Sequence, residues 1–382
     1  MPDDRVERRL PPLDGLRAVA VSMVIALHWL VRTPVGARWG VEWPRLHAVL
    51  DLGWCGVDLF FVLSGFLIGG ILIDQRASPN LFPVFYLRRA ARVLPVYWLV
   101  LAVAFILPTH RGPALVGDVP LPAYALFVQN AFTALGRNPG VALAPLWSLA
   151  IEEQFYVAGP LLACFGAPAL VAALVGSCVL GSPLLRAFLA WRVHGLSPWD
   201  FTLCRLDGLA LGVAGAWLVR APHWRAWLVD GRALWSGVLT LLIAGTPLVA
   251  QARNIGDGQW LVVAGISYLS VAFLALIVHV VLFPDSRLAR TLSVRGLTAI
   301  GRVSYFLYAF HMLVWCLTGR SGARHAEHVA IAAMTLALLA PVSWLLVERP
   351  LLGAARRHRY APSTLRADAA SAPGALDLQG RA

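Results

Sequence analysis

The sequence predicts an all-α polytopic membrane protein with about ten transmembrane helices and both termini on the cytoplasmic side. Three observations predict it. Hydrophobic residues make up 59% of the 382 residues and charged residues only 14%, against roughly 45–50% and about 25% in soluble domains. Apolar runs close to the ~20 residues that cross a bilayer recur ten times along the chain. Arginine is distributed unevenly between the loops that alternate runs would place on opposite sides. With the N-terminus inside, the inner segments hold 17 Arg and the outer ones 10, as the positive-inside rule requires.

Composition also excludes function classes. A mean hydropathy of +0.69 is incompatible with a soluble globular enzyme, a disordered regulator or a fibrous protein. The net charge is +12, and all 32 basic residues are Arg. A basic excess can signal nucleic acid, but here the Arg residues sit between apolar runs, so no nucleic-acid partner is expected. Cys55, Cys164, Cys178, Cys204 and Cys316 are scattered without a CxxC pair, which argues against a disulfide framework or a zinc site. No metal constellation is expected, since the His residues lack a third ligand at recognisable spacing.

Taken in order, residues 1–12 form a cytoplasmic segment mixing three acids with three Arg, unlike the basic start of a cleaved signal peptide. The first span, 13–32, contains Arg17 and His28. Eleven residues are about three helical turns, which puts both side chains on one face roughly 16 Å apart along the axis. A basic group at the mouth can hold a phosphate, and a deeper imidazole can take a proton from a hydroxyl. Arg17 snorkelling to headgroups and His28 bonding a neighbouring helix are the structural alternatives.

The second span, 53–73, carries Asp58 near its outer end, at a depth where it could pair with His28 and orient the imidazole. Ser64-Gly65-Phe66 follow, small residues that permit close backbone approach. Before the short third span, 93–108, stand Arg88, Arg89 and Arg92. They serve either as a positive-inside anchor or, with Arg89 and Arg92 one turn apart, as a fork for phosphates. The stretch 119–135, interrupted by Pro122 and Asn130, reads as interfacial or re-entrant.

The fourth span, 146–166, opens PLWSLAIEEQFY. Glu152 and Glu153 project about 100° apart, so at least one faces the bundle interior, where an unpaired charge is expensive and marks function. Trp147 and Tyr156 offer stacking surfaces. The fifth span, 168–185, follows almost without a loop. Spans 200–219 (with Arg205 and Asp207), 232–251, 260–283, 299–318 (with Arg302, Tyr305, Tyr308 and His311) and 328–347 complete the ten. Arg205 and Asp207 are expected to pair with neighbours, and Glu348 with Arg349. His311 is a second mid-membrane imidazole and a rival to His28. Residues 13–352 thus form one transmembrane domain. The Ala-, Pro- and Ser-rich stretch 353–382 is expected to be a disordered cytoplasmic tail.

The strings LDGLRAVAVSMVIALH, GVDLFFVLSGFLI, FYLRRAARVLPVYW, PLWSLAIEEQFY, RLDGLALG, GRVSYFLYAFH and VERP, in this order over about residues 10–352, resemble the acyltransferase 3 family of integral-membrane O-acyltransferases, the OafA-like group. The resemblance implies a multi-pass protein of the cell (inner or plasma) membrane. It implies transfer of an acyl group, expected to be acetyl, from cytoplasmic acyl-CoA to a hydroxyl of a surface glycan or lipid-linked sugar. Acyl-CoA is then a cosubstrate, and no permanently bound cofactor is expected. His28 matches the family's proposed catalytic base, and Arg17 the basic residue that precedes it. Arg89 and Arg92 match the RxxR proposed to meet CoA phosphates. Ser64, Gly65 and Phe66 match an SGF thought to lie near the donor. Glu152 and Glu153 match the EEQFY string. Asp58, Glu152 and Glu153 join His28 as candidate catalytic residues. Many members carry an appended extracytoplasmic SGNH domain; none is expected here. A small-molecule acceptor such as a macrolide is the alternative to a glycan. From a different class, a proton-coupled transporter would also explain intramembrane His, Asp and Glu, and a scaffold without chemistry would explain none of them.

Overall fold

The computed structural model describes residues 10–107, 115–193, 195–252, 260–319 and 324–362. Among these the secondary structure is helical throughout, with no strand. A lipid-embedded chain has to satisfy its backbone polar groups within each segment, and the helix does so.

Helix α1 (Pro11–Ala26) starts on two prolines, whose fixed φ suits the first turn. It continues as a π-helical turn over Leu27–Val31. Short helices α2 (Pro34–Glu42) and α3 (Pro44–Asp51) lead into α4 (Gly56–Gln75) and α5 (Leu81–Ile106). Two short pieces, α6 (Leu121–Ala125) and α7 (Gln129–Ala134), precede α8 (Trp147–Phe165), α9 (Pro168–Arg192) and α10 (Leu206–Leu218). The remainder comprises α11 (Pro222–Asp230), α12 (Arg232–Ala252), α13 (Ile266–Leu282), α14 (Arg287–Leu292), α15 (Arg295–Arg302), α16 (Ser304–Thr318), α17 (His325–Ser343) and α18 (Arg349–Arg356).

Each of the ten apolar segments is helical in the structure. Among the described residues six helices are long and apolar enough to cross a membrane, or eight if each of two bent pairs is one crossing. The pairs are α11 with α12, bent by 81°, and α15 with α16, bent by 68°. Two expected spans fall outside that count for visible reasons. Helix α10 has only 13 residues. Helix α8 has 19 but carries Glu152, Glu153 and Gln154 in its first half. The α8–α9 junction, where two segments almost merge in sequence, is a true break: Gly166 closes α8 by donating its amide to the Leu162 carbonyl at 2.9 Å.

Helix α4 is the central element. Among the candidate spans it is the most enclosed, with 72% of its apolar window buried, whereas α9 has 6%. The exposed α9 side chains include Leu180, Leu184 and Phe188. In water such a face would be a large apolar patch; against hydrocarbon it is at home. This integral membrane protein thus packs α4 inside and turns α9 to lipid. The α4–α10 contact is the most extensive among the described helices. A Cβ on Gly65 would lie 2.0 Å from the Leu209 carbonyl oxygen, and one on Gly212 would lie 2.3 Å from the Val62 carbonyl oxygen. The two glycines answer each other across the interface, as small residues do in membrane helix pairs.

Two boundaries differ from the sequence expectation. Helix α5 begins at Leu81 rather than near 93, so Arg88, Arg89 and Arg92 lie on a regular helix and not in a loop. The tail expected from residue 353 is helical through Arg356, and the chain after it is held down. The Ser78 hydroxyl donates to the Ala361 carbonyl at 2.9 Å, and the Asn80 side chain bonds both the Arg359 carbonyl and the Ala361 amide. Arg88 donates to the His358 carbonyl at 2.8 Å and stacks 5.0 Å over Tyr360. Composition marked this stretch as disordered because its anchors are backbone groups, which composition does not report. The rest of the expected tail lies outside the described residues.

Candidate active site

Two cavities approach each other inside the bundle. One, called the inner cavity after the orientation expected from the Arg distribution, has a volume of about 100 Å³ and is lined by Arg17 of α1, Ser64 of α4, Arg89 and Arg92 of α5, and Glu152, Glu153 and Tyr156 of α8, with Tyr305 and Tyr308 of α16. The structure therefore brings together residues spread over almost 300 positions of sequence. The outer cavity, about 560 Å³, is lined by His28 and Arg32, by Trp54, Trp147 and Trp199, and by Arg137 and Asp200. Tyr308 lines both.

The inner cavity is cationic at one end. The three guanidiniums of Arg17, Arg89 and Arg92 converge on it. Arg17 donates to Asp14 at 3.2 Å, and Arg89 lies 6.0 Å from the Tyr156 ring centroid. Among the described residues, neither Arg89 nor Arg92 forms a salt bridge, which leaves both available to an anion. Arg88 is instead occupied by His358 and Tyr360. Of the three consecutive basic positions, only the two spaced by one turn reach the cavity.

At the other end of the inner cavity a chain of hydroxyls reaches a carboxylate. Tyr156 donates to Glu152 Oε2 at 3.0 Å, and its oxygen lies 2.7 Å from the Ser64 hydroxyl. Since Tyr156 has one proton and a carboxylate only accepts, Ser64 is the donor to Tyr156. Glu152 and Glu153 both line the cavity. Gly65 and Phe66 do not: Gly65 packs on α10, and Phe66 is buried in the apolar cluster with Leu13 and Leu16. Only the first residue of the SGF string reaches the site.

His28 sits in the π-helical turn that ends α1, a local widening of the helix often found at functional positions. That turn changes the phase assumed from a regular helix, yet His28 still opens on the outer cavity while Arg17 lines the inner one. His28 Nδ1 is 2.9 Å from the Val24 carbonyl oxygen and 3.2 Å from Nε2 of His311. His311 Nδ1 is in turn 2.7 Å from the Tyr308 carbonyl oxygen. A carbonyl can only accept, so both Nδ1 atoms carry protons. With both imidazoles neutral, His311 Nε2 presents a lone pair to His28, and His28 Nε2 carries no proton. His311 is fully enclosed, with 0% exposure, and lines neither cavity.

Asp58 does not orient His28. Its carboxylate accepts from Arg205 at 2.6 Å, and the Arg205 guanidinium lies 5.0 Å from the Trp199 ring and 5.6 Å from Trp147 and Phe61. The neighbouring buried pair is Arg186–Asp207, bridged in two places at 3.1 and 2.7 Å. Asp207 also accepts from the Ser267 hydroxyl at 2.7 Å, and Arg186 donates to the Cys204 carbonyl. Arg205 and Asp207 thus pair with neighbours as expected, and Asp58 belongs to their network. Glu348 bonds Ser343 at 3.4 Å instead of forming the expected contact with Arg349.

The outer wall was not legible in the apolar pattern. The stretch read as re-entrant folds as α6 and α7, with Phe127 between them in the left-handed region at φ 53°. The Phe127 carbonyl accepts from Gln154 at 2.8 Å. Gln154 also accepts from Thr202, and Asn130 donates to the Asp200 carbonyl at 3.0 Å. These bonds clamp α7, α8 and the segment before α10 together, bringing Arg137, Trp199 and Asp200 to the cavity. Trp54, Trp199 and Asp200 stand at helix ends and in loops, where hydropathy carries no information.

A family model described as an acyltransferase domain matches residues 11–348. The chain is 29% identical over 367 residues to O-acetyltransferase OatA of Staphylococcus aureus (strain NCTC 8325 / PS 47), covering 90% of this chain and 57% of the relative. It is 30% identical over 377 residues to a Bacillus subtilis (strain 168) protein named "Putative peptidoglycan O-acetyltransferase YrhL", covering 90% of this chain and 55% of the relative. The chain therefore spans little more than half the length of these relatives. No solved structure matches it. A match over nearly the whole described bundle, including every string that carries the charged cavity residues, places this membrane protein in the acyltransferase 3 family.

Proposed function

We propose that this protein is a membrane O-acyltransferase that moves a short acyl group, acetyl, from acyl-CoA at the cytoplasmic face to a hydroxyl presented on the outer side. The observation that carries the reading is the pair of cavities that meet at Tyr308. One holds guanidiniums suited to phosphates, and the other holds an imidazole with a free Nε2. The name of the Bacillus subtilis relative points to a peptidoglycan hydroxyl as the acceptor.

In this reading Arg89 and Arg92, with Arg17, bind the phosphates of CoA by charge-assisted hydrogen bonds. The pantetheine arm passes Ser64 and Tyr156, whose chain to Glu152 fixes that wall. The acceptor hydroxyl enters from the outer cavity and gives its proton to His28 Nε2 as its oxygen attacks the thioester carbonyl. The C–S bond breaks as the ester forms, and the imidazolium returns the proton to the CoA sulfur. His311 Nε2 and the Val24 carbonyl accept from the Nδ1–H of the transient imidazolium. His311 thus holds His28 in the useful tautomer, the part a carboxylate plays in a Ser–His–Asp triad.

The same reading includes ten crossings with both termini cytoplasmic. The bundle's own pairing supports it. Positions assigned to the inner side meet one another: Asp74 bonds Arg220 at 2.9 Å, Gly15 packs on the Leu292 backbone, and Arg88 bonds His358. Positions assigned to the outer side also meet, as Asn130 and Asp200 do. The Tyr308 partition favours group transfer over a through-pore for a transported solute. The test is to incubate purified protein in nanodiscs with acetyl-CoA and soluble peptidoglycan fragments. Free CoA released only when fragments are present, with ester gained by the fragments, supports the reading. Acetyl-CoA-independent proton uptake into vesicles without ester formation would favour a transporter.

A further inference from the structure

We propose that Tyr308, pinned by Ser148 and Pro145, limits the length of acyl chain that this protein transfers. The inference rests on the transfer reading and adds a specificity-determining residue to it.

Tyr308 borders both cavities, and its immediate partners divide between them: Ser148 and Phe60 line the inner one, Pro145 the outer. The Tyr308 hydroxyl donates to the Pro145 carbonyl at 2.9 Å, and its oxygen is 2.6 Å from the Ser148 hydroxyl. With its single proton directed to Pro145, Tyr308 accepts from Ser148. The ring meets Phe60 edge to face, with centroids 5.7 Å apart. Its own carbonyl accepts from His311. The ring is therefore fixed at its tip, at its edge and at its backbone, and only 5% of the residue is exposed.

For a thioester carbonyl on the inner side to meet a hydroxyl beside His28, the acyl group has to pass this ring. The inner cavity of about 100 Å³ has room for a two-carbon acyl group beside the end of a pantetheine arm. A longer chain has to displace a ring held by two hydrogen bonds. Packed interiors respond poorly to added methylenes, so the partition discriminates by length and not by polarity.

The test compares acetyl-, butyryl- and hexanoyl-CoA with wild type, Tyr308→Ala, Tyr308→Phe and Ser148→Ala in nanodiscs, scoring kcat/KM by acceptor-dependent CoA release. Wild type is expected to prefer acetyl over hexanoyl by about 100-fold, in the range that methylene discrimination reaches. Tyr308→Ala should raise the hexanoyl-to-acetyl ratio at least tenfold. Tyr308→Phe keeps the ring but releases its tip, and Ser148→Ala keeps the ring but removes one of the two bonds at its tip; each should raise the ratio about threefold. They carry the test if the alanine variant of Tyr308 fails to fold. An unchanged ratio in the folded variants overturns the proposal while leaving acyl transfer standing. Absence of acceptor-dependent CoA release by wild type with every donor removes the transfer reading, and this inference with it.

Discussion

His311 places its Nε2 atom 3.2 Å from Nδ1 of His28, with the two ring centroids 5.0 Å apart. The two imidazoles come from opposite ends of the sequence, and only His28 opens on a cavity. In the proposed mechanism their relation is that of a base and the group that orients it. Replacing His311 by Leu should lower kcat by ten- to a hundredfold with little change in the KM for acetyl-CoA. Replacing it by Gln, whose amide oxygen can accept from His28 Nδ1–H, should restore a large part of the loss. Steady-state kinetics with both variants checks this; equal losses in Leu and Gln would reduce His311 to a packing residue.

The second prediction concerns the arginines. Replacing Arg89 and Arg92 together by Gln should raise the KM for acetyl-CoA tenfold or more. A hydrogen bond to a charged group contributes about 1.5–3 kcal/mol, and the inner cavity offers both side chains without a competing salt bridge among the described residues. Arg88→Gln removes a contact to His358 and Tyr360 and should leave that KM within about twofold. A double variant with unaltered KM but failed membrane insertion would show that the two residues act only as topology anchors.

The third prediction separates stability from chemistry. Asp58 and Arg205 are both almost fully enclosed, at 2% and 1% exposure. Removing one partner of such a pair strands a charge and typically costs about 3–5 kcal/mol. Asp58→Ala should therefore lower the thermal midpoint and folded yield sharply. The protein that does fold should keep its acetyl-CoA KM. Normal stability combined with lost turnover would return Asp58 to a catalytic role.

Much of this arrangement was legible in the sequence, and the limits have physical causes. The ten apolar segments and the helical class follow from hydropathy, and the expense of intramembrane charge singles out Glu152 and Glu153; the roles of Arg17, Arg89 and Arg92 came from the family resemblance, and their meeting with the two Glu in one cavity is a finding of the structure. The partner of each charge does not follow. Asp58 and His28 share a depth, and depth alone suggested their pairing; it is the rotation of α4 against α10, set by Gly65 and Gly212, that turns Asp58 to Arg205. Gly65 was placed near the donor only as part of the SGF string that the resemblance carries, whereas adjacent helical residues point about 100° apart. The His28–His311 contact needs the π-helical turn at Leu27–Val31, which no periodicity announces. Trp54, in the 3-10 turn just before α4, and Trp199, in the segment before α10, reach the outer cavity from outside the regular α-helices.

A fourth prediction tests the topology. Reporter fusions after residue 360 should report the cytoplasmic side, and fusions within 137–140, at the rim of the outer cavity, the opposite side. The asymmetry of 17 against 10 Arg motivates this. Fusions reading the same side at both places would contradict a donor cavity and an acceptor cavity on opposite faces.

The most direct test of the account is the turnover of His28→Ala. The measurement is acceptor-dependent CoA release by purified protein in nanodiscs, with acetyl-CoA binding recorded on the same sample. Loss of a general base typically lowers the rate 10²–10⁴-fold. The account predicts a fall of that size with binding retained, and a smaller fall for His311→Gln. Near-normal turnover by His28→Ala, with donor binding intact, would contradict it.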